Sequence, residues 1–283
     1  MTGSAERHVG GVPGGVAFVK GHGTENDFVL LPDPDSRLEL TAELARALCD
    51  RHAGLGADGA IRVARDGQGR FLMDYRNADG SLAEMCGNGA RVFARYLVDA
   101  GWARPGRIEF TTHGGPRWAE LGSTGDVTIG MGPVRMGAAS TATIAGVEID
   151  GVAVDVGNPH LVCSVGVDPS GFDLTVRPGI DRTVFPDGAN VEIVQTVGAD
   201  EVRMRVHERG VGETRSCGTG TVAAAAAHLA ATGRSDGTVR VHVPGGSVTV
   251  TITGGNATLT GPAVLVAFGT LGEDFPAGVL TSA

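Results

Sequence analysis

Two cysteines occupy the same short motif at two places in the chain. Cys86-Gly-Asn-Gly recurs in the second half of the sequence as Cys217-Gly-Thr-Gly. Each motif precedes an alanine-rich or apolar stretch that predicts a helix, and each stretch stops at a glycine, Gly101 or Gly233. We therefore expect both thiols at helix N-termini, where unpaired N–H groups and the helix dipole lower a thiol pKa and bind carboxylates.

Two equivalent thiols predict acid–base chemistry on the two faces of one carbon. If the helix starts face each other across a cleft, one thiolate removes the α-proton of a small acid. The other thiol returns a proton from the opposite side, so the configuration inverts without a cofactor. The two helix N-termini would stabilise the negative charge that develops on the carboxylate. Cys86 and Cys217 are thus the predicted catalytic pair.

The elements that position these thiols also repeat. Asn26 and Asn158 precede the two cysteines at nearly the same spacing, and a Gly-Gly turn and a Gly-Pro pair recur in order after each helix. The predicted fold class is α/β, of the α+β type. It has two pseudo-symmetric halves, each a bent mixed or antiparallel sheet around a central helix, with the active site between them. The predicted segments are a mobile extension (1–15), the halves 16–133 and 134–262, and a closing strand with a tail (263–283).

Composition and net charge argue against several classes of function. The chain has 283 residues and a formal net charge of −9, which argues against nucleic-acid binding. No long, unbroken apolar run suggests a membrane span, and residues 1–15 lack the apolar core of a signal peptide, so we expect a cytoplasmic protein. Lys20 is the only lysine, which disfavours pyridoxal phosphate, and the four cysteines are spaced too widely for a zinc site. We predict no metal and no cofactor.

The motifs together resemble those of diaminopimelate epimerases over nearly the whole chain after residue 16. The segments that carry the resemblance are Gly23–Phe28, Arg51–Asp58, Asn77–Gly80, Cys86–Arg91, Gly157–His160 and Glu208–Gly220. The resemblance implies a cofactor-independent isomerase that interconverts LL- and meso-diaminopimelate for lysine and peptidoglycan synthesis, usually as a homodimer. The chain departs from the family pattern at Gly59 and Met85, where many relatives carry glutamine.

The resemblance also implies roles for individual residues. Cys86 and Cys217 look like the two catalytic groups, and His160 and Glu208 look like the neighbours that tune their pKa values. Substrate contacts are implied for Asn26, Asn77, Gly87, Asn88, Asn158, Asn190, Glu208, Arg209, Gly218 and Thr219. The planar guanidinium of Arg209 suits the carboxylate at the non-reacting end of the substrate, because it can form two parallel hydrogen bonds with it.

Three alternatives use the same residues differently. Proline and hydroxyproline racemases share the two-thiol logic, but they usually carry histidine at the position of Asn88. A relative that lacks the thiol pair is disfavoured because both cysteines are present. A thiol redox switch or binding protein would oxidise Cys86 and Cys217 reversibly without exchanging any substrate proton. Cys49 and Cys163 are predicted to be ordinary buried side chains.

Overall fold

The computed structural model describes residues 15–272 and 274–275. The predicted mobile extension, apart from its last residue, and the end of the predicted tail lie outside the described residues. The helices of this part are α1 (Ala42–Cys49), α2 (Gly87–Asp99) and α3 (Gly218–Ala231). Its strands are β1 (Ala17–Gly23), β2 (Asn26–Pro32), β3 (Gly59–Arg65), β4 (Phe71–Asn77), β5 (Gly106–Thr112), β6 (Gly115–Leu121), β7 (Val127–Pro133), β8 (Arg135–Ile144), β9 (Val147–Asp155), β10 (Pro159–Val165), β11 (Gly179–Ile180), β12 (Asn190–Gly198), β13 (Glu201–Glu208), β14 (Gly212–Thr214), β15 (Gly237–Val243), β16 (Gly246–Thr253), β17 (Asn256–Gly261) and β18 (Val264–Thr270).

One half of the molecule is a mixed sheet in the spatial order β18–β1–β2–β3–β4–β5–β6–β7. Neighbouring strands are antiparallel except in the pairs β2–β3 and β4–β5. Parallel neighbours need a crossover connection, and the chain makes these crossovers through α1 and α2. The C-terminal strand β18 completes this half because it pairs with β1, with Ala17 opposite Thr270.

The other half repeats the pattern in the order β8–β9–β10–β12–β13–β15–β16–β17. Its parallel pairs, β10–β12 and β13–β15, stand where the first half has β2–β3 and β4–β5. The spacing along the chain from the start of α2 to the start of α3 equals the spacing from β5 to β15. The two halves join through the antiparallel pair β7–β17. The predicted fold class, two similar mixed sheets that each hold a helix, is confirmed.

The two central helices are buried by their own sheets. Every residue from Val222 to Ala227 on α3 is buried, because methyl-sized side chains let strands approach the helix on all sides. The apolar residues of α2 and α3 belong to one continuous core. By contrast, α1 buries only one face, through Leu44 and Leu48. No helix among the described residues is long and apolar enough to cross a membrane.

Candidate active site

Each of the two predicted catalytic cysteines, Cys86 and Cys217, caps the N-terminus of its central helix. The backbone of Cys86 is extended, and its sulfur accepts the N–H of Gly89 at 3.5 Å. Cys217 has the same backbone conformation, and its sulfur accepts the N–H of Gly220 at 3.4 Å. Each thiol thus accepts a hydrogen bond from an amide of the first turn that has no partner within the helix. The three residues that follow each cysteine in its motif, 87–89 and 218–220, form the first turn of the helix.

The two helix N-termini face each other at short range. A β-carbon built on Gly218 would lie 3.4 Å from Cα of Gly87 and 3.7 Å from the backbone nitrogen of Asn88. The absence of a side chain at Gly218 therefore leaves a narrow gap between the first turns of α2 and α3. The N–H groups of two helix N-termini that approach each other in this way are suited to binding a carboxylate.

Asparagine side chains surround the first thiol. The Cys86 sulfur lies 3.8 Å from Oδ1 of Asn26, and Nδ2 of Asn88 donates to the same oxygen at 3.1 Å. Nδ2 of Asn26 donates to a carboxylate oxygen of Asp58 at 2.7 Å. Oδ1 of Asn88 is buried and has no hydrogen-bond partner among the described residues, so it can accept a hydrogen bond from a bound ligand.

The second thiol is surrounded by a different set of polar groups. Nδ2 of Asn190 lies 3.8 Å from the Cys217 sulfur, and Oγ1 of Thr219 lies 3.5 Å from it. Glu208 is close enough for its charge to act on the Cys217 thiol, and its carboxylate accepts a hydrogen bond from Thr214. Burial raises the pKa of Glu208, while hydrogen bonds from Thr214 and Cys217 act in the opposite direction.

A buried histidine–carboxylate pair supports the second half of the site. Nδ1 of His160 lies 2.7 Å from Oε1 of Glu192, and neither side chain is exposed to solvent. Nε2 of His160 lies 3.1 Å from Oδ1 of Asn158, whose Nδ2 donates to Thr219 at 3.4 Å. The sequence analysis missed Glu192. The sequence does place one carboxylate among the apolar residues of β12. A charged side chain is stable in such a buried strand only when it has a partner.

Glu192→Ala is expected to lower the free energy of unfolding by about 3–5 kcal/mol. The truncation leaves the buried imidazole of His160 without its carboxylate partner, and breaking a buried pair from one side costs this much. Chemical denaturation measures the change. As the matched control, Glu109→Ala removes a carboxylate that is 81% exposed, and it should stay within about 1 kcal/mol of the unsubstituted protein. Equal stability of Glu192→Ala would contradict a structural role for the pair.

Hydrogen bonds also connect the two halves behind the thiols. Oγ1 of Thr24, in the turn between β1 and β2, lies 2.6 Å from Oγ of Ser216, the residue before Cys217. Nδ2 of Asn88 donates to the carbonyl oxygen of Ser216 at 3.1 Å. The buried guanidinium of Arg91 donates to Thr24 at 3.2 Å. These contacts hold the loop before Cys217 against the first turn of α2.

Two of the predicted substrate-binding residues, Arg209 and Asn77, lie at the edge of the group of polar residues around the thiols. Arg209 is exposed, and only its backbone N–H joins the site, through a 2.9 Å hydrogen bond to Oδ1 of Asn190. Asn77 receives a 2.9 Å hydrogen bond from the hydroxyl of Tyr75. The ring of Tyr75 also explains Gly59, because a β-carbon there would lie 2.4 Å from the ring. The ring of Tyr75 therefore occupies the space that a larger side chain at position 59 would need.

The pKa values of Cys86 and Cys217 are raised, contrary to the prediction from the sequence. The helix N-termini predict lowered values, but burial raises the pKa of Cys86 to about 11 and that of Cys217 well above its ordinary value. The amides of Gly89 and Gly220 lower these pKa values, yet desolvation is the larger effect. Cys49 and Cys163, which cap no helix N-terminus, have pKa values of about 12.

The raised pKa predicts how fast Cys86 reacts with iodoacetamide. In Cys217→Ala protein, the alkylation rate of Cys86 should rise about tenfold for each pH unit from 7 to 10, since only the thiolate reacts and its fraction grows tenfold per unit below the pKa. Peptide mass spectrometry measures the rate at this position, and Cys49, with its higher pKa, should react more slowly. A rate that levels off below pH 8 would show a lowered pKa instead.

All four cysteines are free. Within residues 15–272 and 274–275, no three histidine, cysteine, aspartate or glutamate side chains form a cluster that could bind a metal ion. The polar groups gathered around the first turns of α2 and α3 include two thiols, several amides, one histidine, the buried carboxylate of Glu192 and the half-buried carboxylate of Glu208. This set can exchange protons with a bound acid and hold its carboxylate.

Known proteins share both the sequence and the fold. The family model for diaminopimelate epimerase matches residues 18–137 and 152–266. A diaminopimelate epimerase of Rhodococcus opacus (strain B4) is 51% identical to the chain over 282 residues, which covers 91% of this chain and 98% of the relative. The diaminopimelate epimerase of Thermobifida fusca (strain YX) is 50% identical over 266 residues, which covers 89% of this chain and 96% of the relative.

A solved structure extends the similarity beyond these relatives. The crystal structure of a hydroxyproline epimerase from Agrobacterium vitis aligns with a TM-score of 0.63 and 16% sequence identity, and the alignment covers 95% of each chain. At this identity the match shows a common fold.

Proposed function

Since the chain belongs to the diaminopimelate epimerase family and is an isomerase of diaminopimelate, we propose that Cys86 and Cys217 interconvert its LL and meso forms by two-base proton transfer without a cofactor. The observation that carries this proposal is the short distance between the two cysteine-capped helix N-termini. One thiol lies at the start of each helix, so a carbon held in the gap has a proton acceptor and a proton donor on its two sides.

The reaction requires one thiolate and one thiol. For the L configuration, the Cys86 thiolate takes the α-proton, and the electron pair moves into the carboxylate. The Cys217 thiol then donates its proton to the opposite face, which leaves the inverted carbon and a Cys217 thiolate. In the reverse direction the two cysteines exchange roles. The protonation states of the pair must therefore be complementary when substrate binds.

The surrounding groups fit the parts of the substrate. The first-turn amides of Gly87, Asn88, Gly218 and Thr219 suit the reacting carboxylate, whose charge grows during proton removal. The unpartnered Oδ1 of Asn88 suits an ammonium group. Further contacts come from Asn26, Asn77, Asn158, Asn190 and Glu208. The exposed Arg209 suits the distant carboxylate, because its guanidinium has only one hydrogen bond among the described residues, to the carbonyl oxygen of Asp187 at 3.4 Å.

Tuning of the thiols falls to His160 and Glu208. Glu208 acts directly on both thiols, because its negative charge raises the pKa of Cys86 and of Cys217. His160 is held by Glu192 and reaches Thr219 through Asn158. The racemase alternative is weaker, because the hydroxyproline epimerase shares 16% identity with the chain and the diaminopimelate epimerases about 50%.

Deuterium incorporation tests the proposed function. The reduced protein is incubated in D2O with LL-diaminopimelate, and separately with L-proline, without added cofactor. We expect deuterium at the α-carbon of diaminopimelate, growth of the meso isomer and no exchange in proline. Exchange in proline alone would favour a proline-type racemase. Absence of exchange in both, with all thiols free, would contradict the proposal and favour the redox or binding alternative.

We also propose that the chain is a cytoplasmic homodimer that binds a small-molecule substrate and neither nucleic acid nor membranes. The net charge of −9 supports the exclusion of nucleic acid, and the mechanism needs reduced thiols, which a reducing compartment supplies. The dimer is supported by strand β18 at the end of its sheet. Val264, Val266 and Phe268 alternate along its exposed face and are 41–59% exposed.

Phe268→Asp is expected to halve the mass of the particle in solution. A charge on this apolar strand face would be buried without a partner if the face forms the dimer contact. Sedimentation velocity or light scattering measures the mass. Val176→Asp is the matched control, because Val176 is an apolar residue that is 65% exposed elsewhere on the surface, and its mass should not change. A monomeric unsubstituted protein, or a dimeric Phe268→Asp, would contradict this interface.

A further inference from the structure

The two thiols contact opposite ends of an asparagine amide. Near Cys86 the closest polar atom of Asn26 is its carbonyl oxygen, which can only accept a hydrogen bond. Near Cys217 the closest polar atom of Asn190 is its amide nitrogen, which can only donate one. A carbonyl oxygen favours a protonated thiol, whereas an N–H favours a thiolate. The amide contacts of the two thiols therefore differ, although burial and the charges of Glu208 and Glu192 also raise the pKa of Cys217.

Asp58 determines which end of Asn26 faces Cys86. Its Oδ2 accepts the Asn26 Nδ2 at 2.7 Å and the backbone N–H of Asp27 at 3.2 Å. A carboxylate only accepts hydrogen bonds, so the nitrogen of the Asn26 amide must point toward Asp58 and the oxygen toward Cys86. Turning the amide over would place two oxygens in contact and would lose the hydrogen bond from Asn88.

Asp58 is itself held rigidly. Nη2 of Arg51 donates to its Oδ1 at 2.8 Å and to Asp27 at 2.9 Å. The backbone N–H of Asp58 donates to Asp27 at 3.1 Å, and Lys20 pairs with the same carboxylate of Asp27 at 2.6 Å. Two acidic and two basic side chains thus form a network on the side of Asn26 away from the thiol. The network balances the charge of Asp58, so its effect on Cys86 passes through Asn26.

The other half uses a backbone group for the same purpose. Oδ1 of Asn190 accepts the N–H of Arg209 at 2.9 Å, so its nitrogen is turned toward Cys217. Because this contact comes from the backbone, the orientation of Asn190 does not depend on any side chain of the Asp58 network. Cys217 is therefore an internal control for any change made at Asp58.

We propose that Asp58 is a positioning residue of the epimerase: by fixing the amide of Asn26 it keeps a carbonyl oxygen at Cys86 and so favours the protonated, proton-donating form of that thiol. The proposal rests on the two-thiol function proposed above and adds to it the proton state of one partner. The other groups that act on Cys86 are the charges of Glu208 and Arg91, and the amides of Gly89 and Asn88.

Asp58→Asn tests this proposal, because an amide at position 58 lets Asn26 turn its nitrogen toward Cys86. In a Cys217→Ala background, we expect iodoacetamide to alkylate Cys86 about tenfold faster at pH 8, with the pH profile moved down by about one unit. This is the value of one hydrogen bond of about 1.4 kcal/mol. In a Cys86→Ala background, the alkylation of Cys217 should stay within about twofold.

Two controls separate the effect of orientation from other effects. In an Asn26→Ala background, Asp58→Asn should change nothing, whereas a direct effect of the lost charge would persist. Asp74→Asn should leave both thiols unchanged, because Asp74 also pairs with an arginine, Arg62, in the same half without touching Asn26.

The alkylation rates distinguish a positioning role for Asp58 from a role in fold stability alone. Equal acceleration at both thiols, including acceleration through loss of the folded structure, would overturn the proposal, as would an effect that survives in Asn26→Ala protein. The alkylation needs no substrate, so this result is independent of the deuterium experiment. Absence of deuterium exchange in unsubstituted protein would count against the proposed function alone.

Discussion

Replacing either Cys86 or Cys217 by alanine is expected to lower the rate of epimerisation by roughly 10²–10⁴-fold, the usual contribution of one general acid or base. Inversion needs a proton acceptor and a proton donor on opposite faces, and each variant keeps only one of them. The variant should still exchange the α-proton on the face that its remaining thiol serves, since that thiol can return a solvent deuteron to the same side. Chiral chromatography measures inversion, and mass spectrometry measures exchange.

The other two cysteines are the matched controls for this experiment. Cys49 and Cys163 are buried in the smaller core clusters, away from the helix N-termini. Cys49→Ala and Cys163→Ala should therefore retain both inversion and exchange. Full inversion by Cys86→Ala or by Cys217→Ala would contradict the two-base mechanism. Each isomer of diaminopimelate should be offered to each variant, because the two thiols are expected to exchange different configurations.

Gly218→Ala is expected to lower kcat/KM at least about tenfold without a loss of stability. The new methyl group would lie 3.4 Å from Cα of Gly87 and 3.7 Å from the amide of Asn88, an ordinary contact distance that the fold tolerates. It would, however, fill the gap in which the carboxylate is proposed to bind, and losing charge-assisted hydrogen bonds of about 1.5–3 kcal/mol gives an effect of this size. The same substitution in a helix should add about 0.4–1 kcal/mol of stability.

Gly220→Ala supplies the contrast within the same helix turn. A β-carbon at Gly220 would lie 2.7 Å from Oε1 of the buried Glu192, so this variant should lose stability because it displaces Glu192 from His160. Steady-state kinetics together with thermal unfolding separate the two cases. An active Gly218→Ala would show that the carboxylate binds elsewhere, and an unstable one would show that the gap is closed in solution.

Much of the architecture follows from local sequence patterns. The repeated Cys-Gly-x-Gly motif and the glycines after each helix locate α2 and α3, because helix caps depend on residues close in sequence. The recurrence of these landmarks in the same order and at the same spacing predicts two equivalent halves, and the strand pairs of the two halves correspond. The equivalent positions of Cys86 and Cys217 at the two helix N-termini follow from the sequence, since equal motifs in equal halves predict equal positions.

Burial and long-range contacts could not be predicted in this way. Asp58 acts on Cys86 through Asn26, and Glu192 supports a histidine on another strand, so both effects depend on residues that meet through folding. The direction of the thiol pKa shift was predicted wrongly for the same reason. A helix N-terminus is a local property that lowers the pKa, whereas desolvation depends on every neighbour that excludes water, and here it is the larger effect. The short motifs therefore specify which groups are proposed to react, and the packing of the two halves around them sets their proton affinity and orientation.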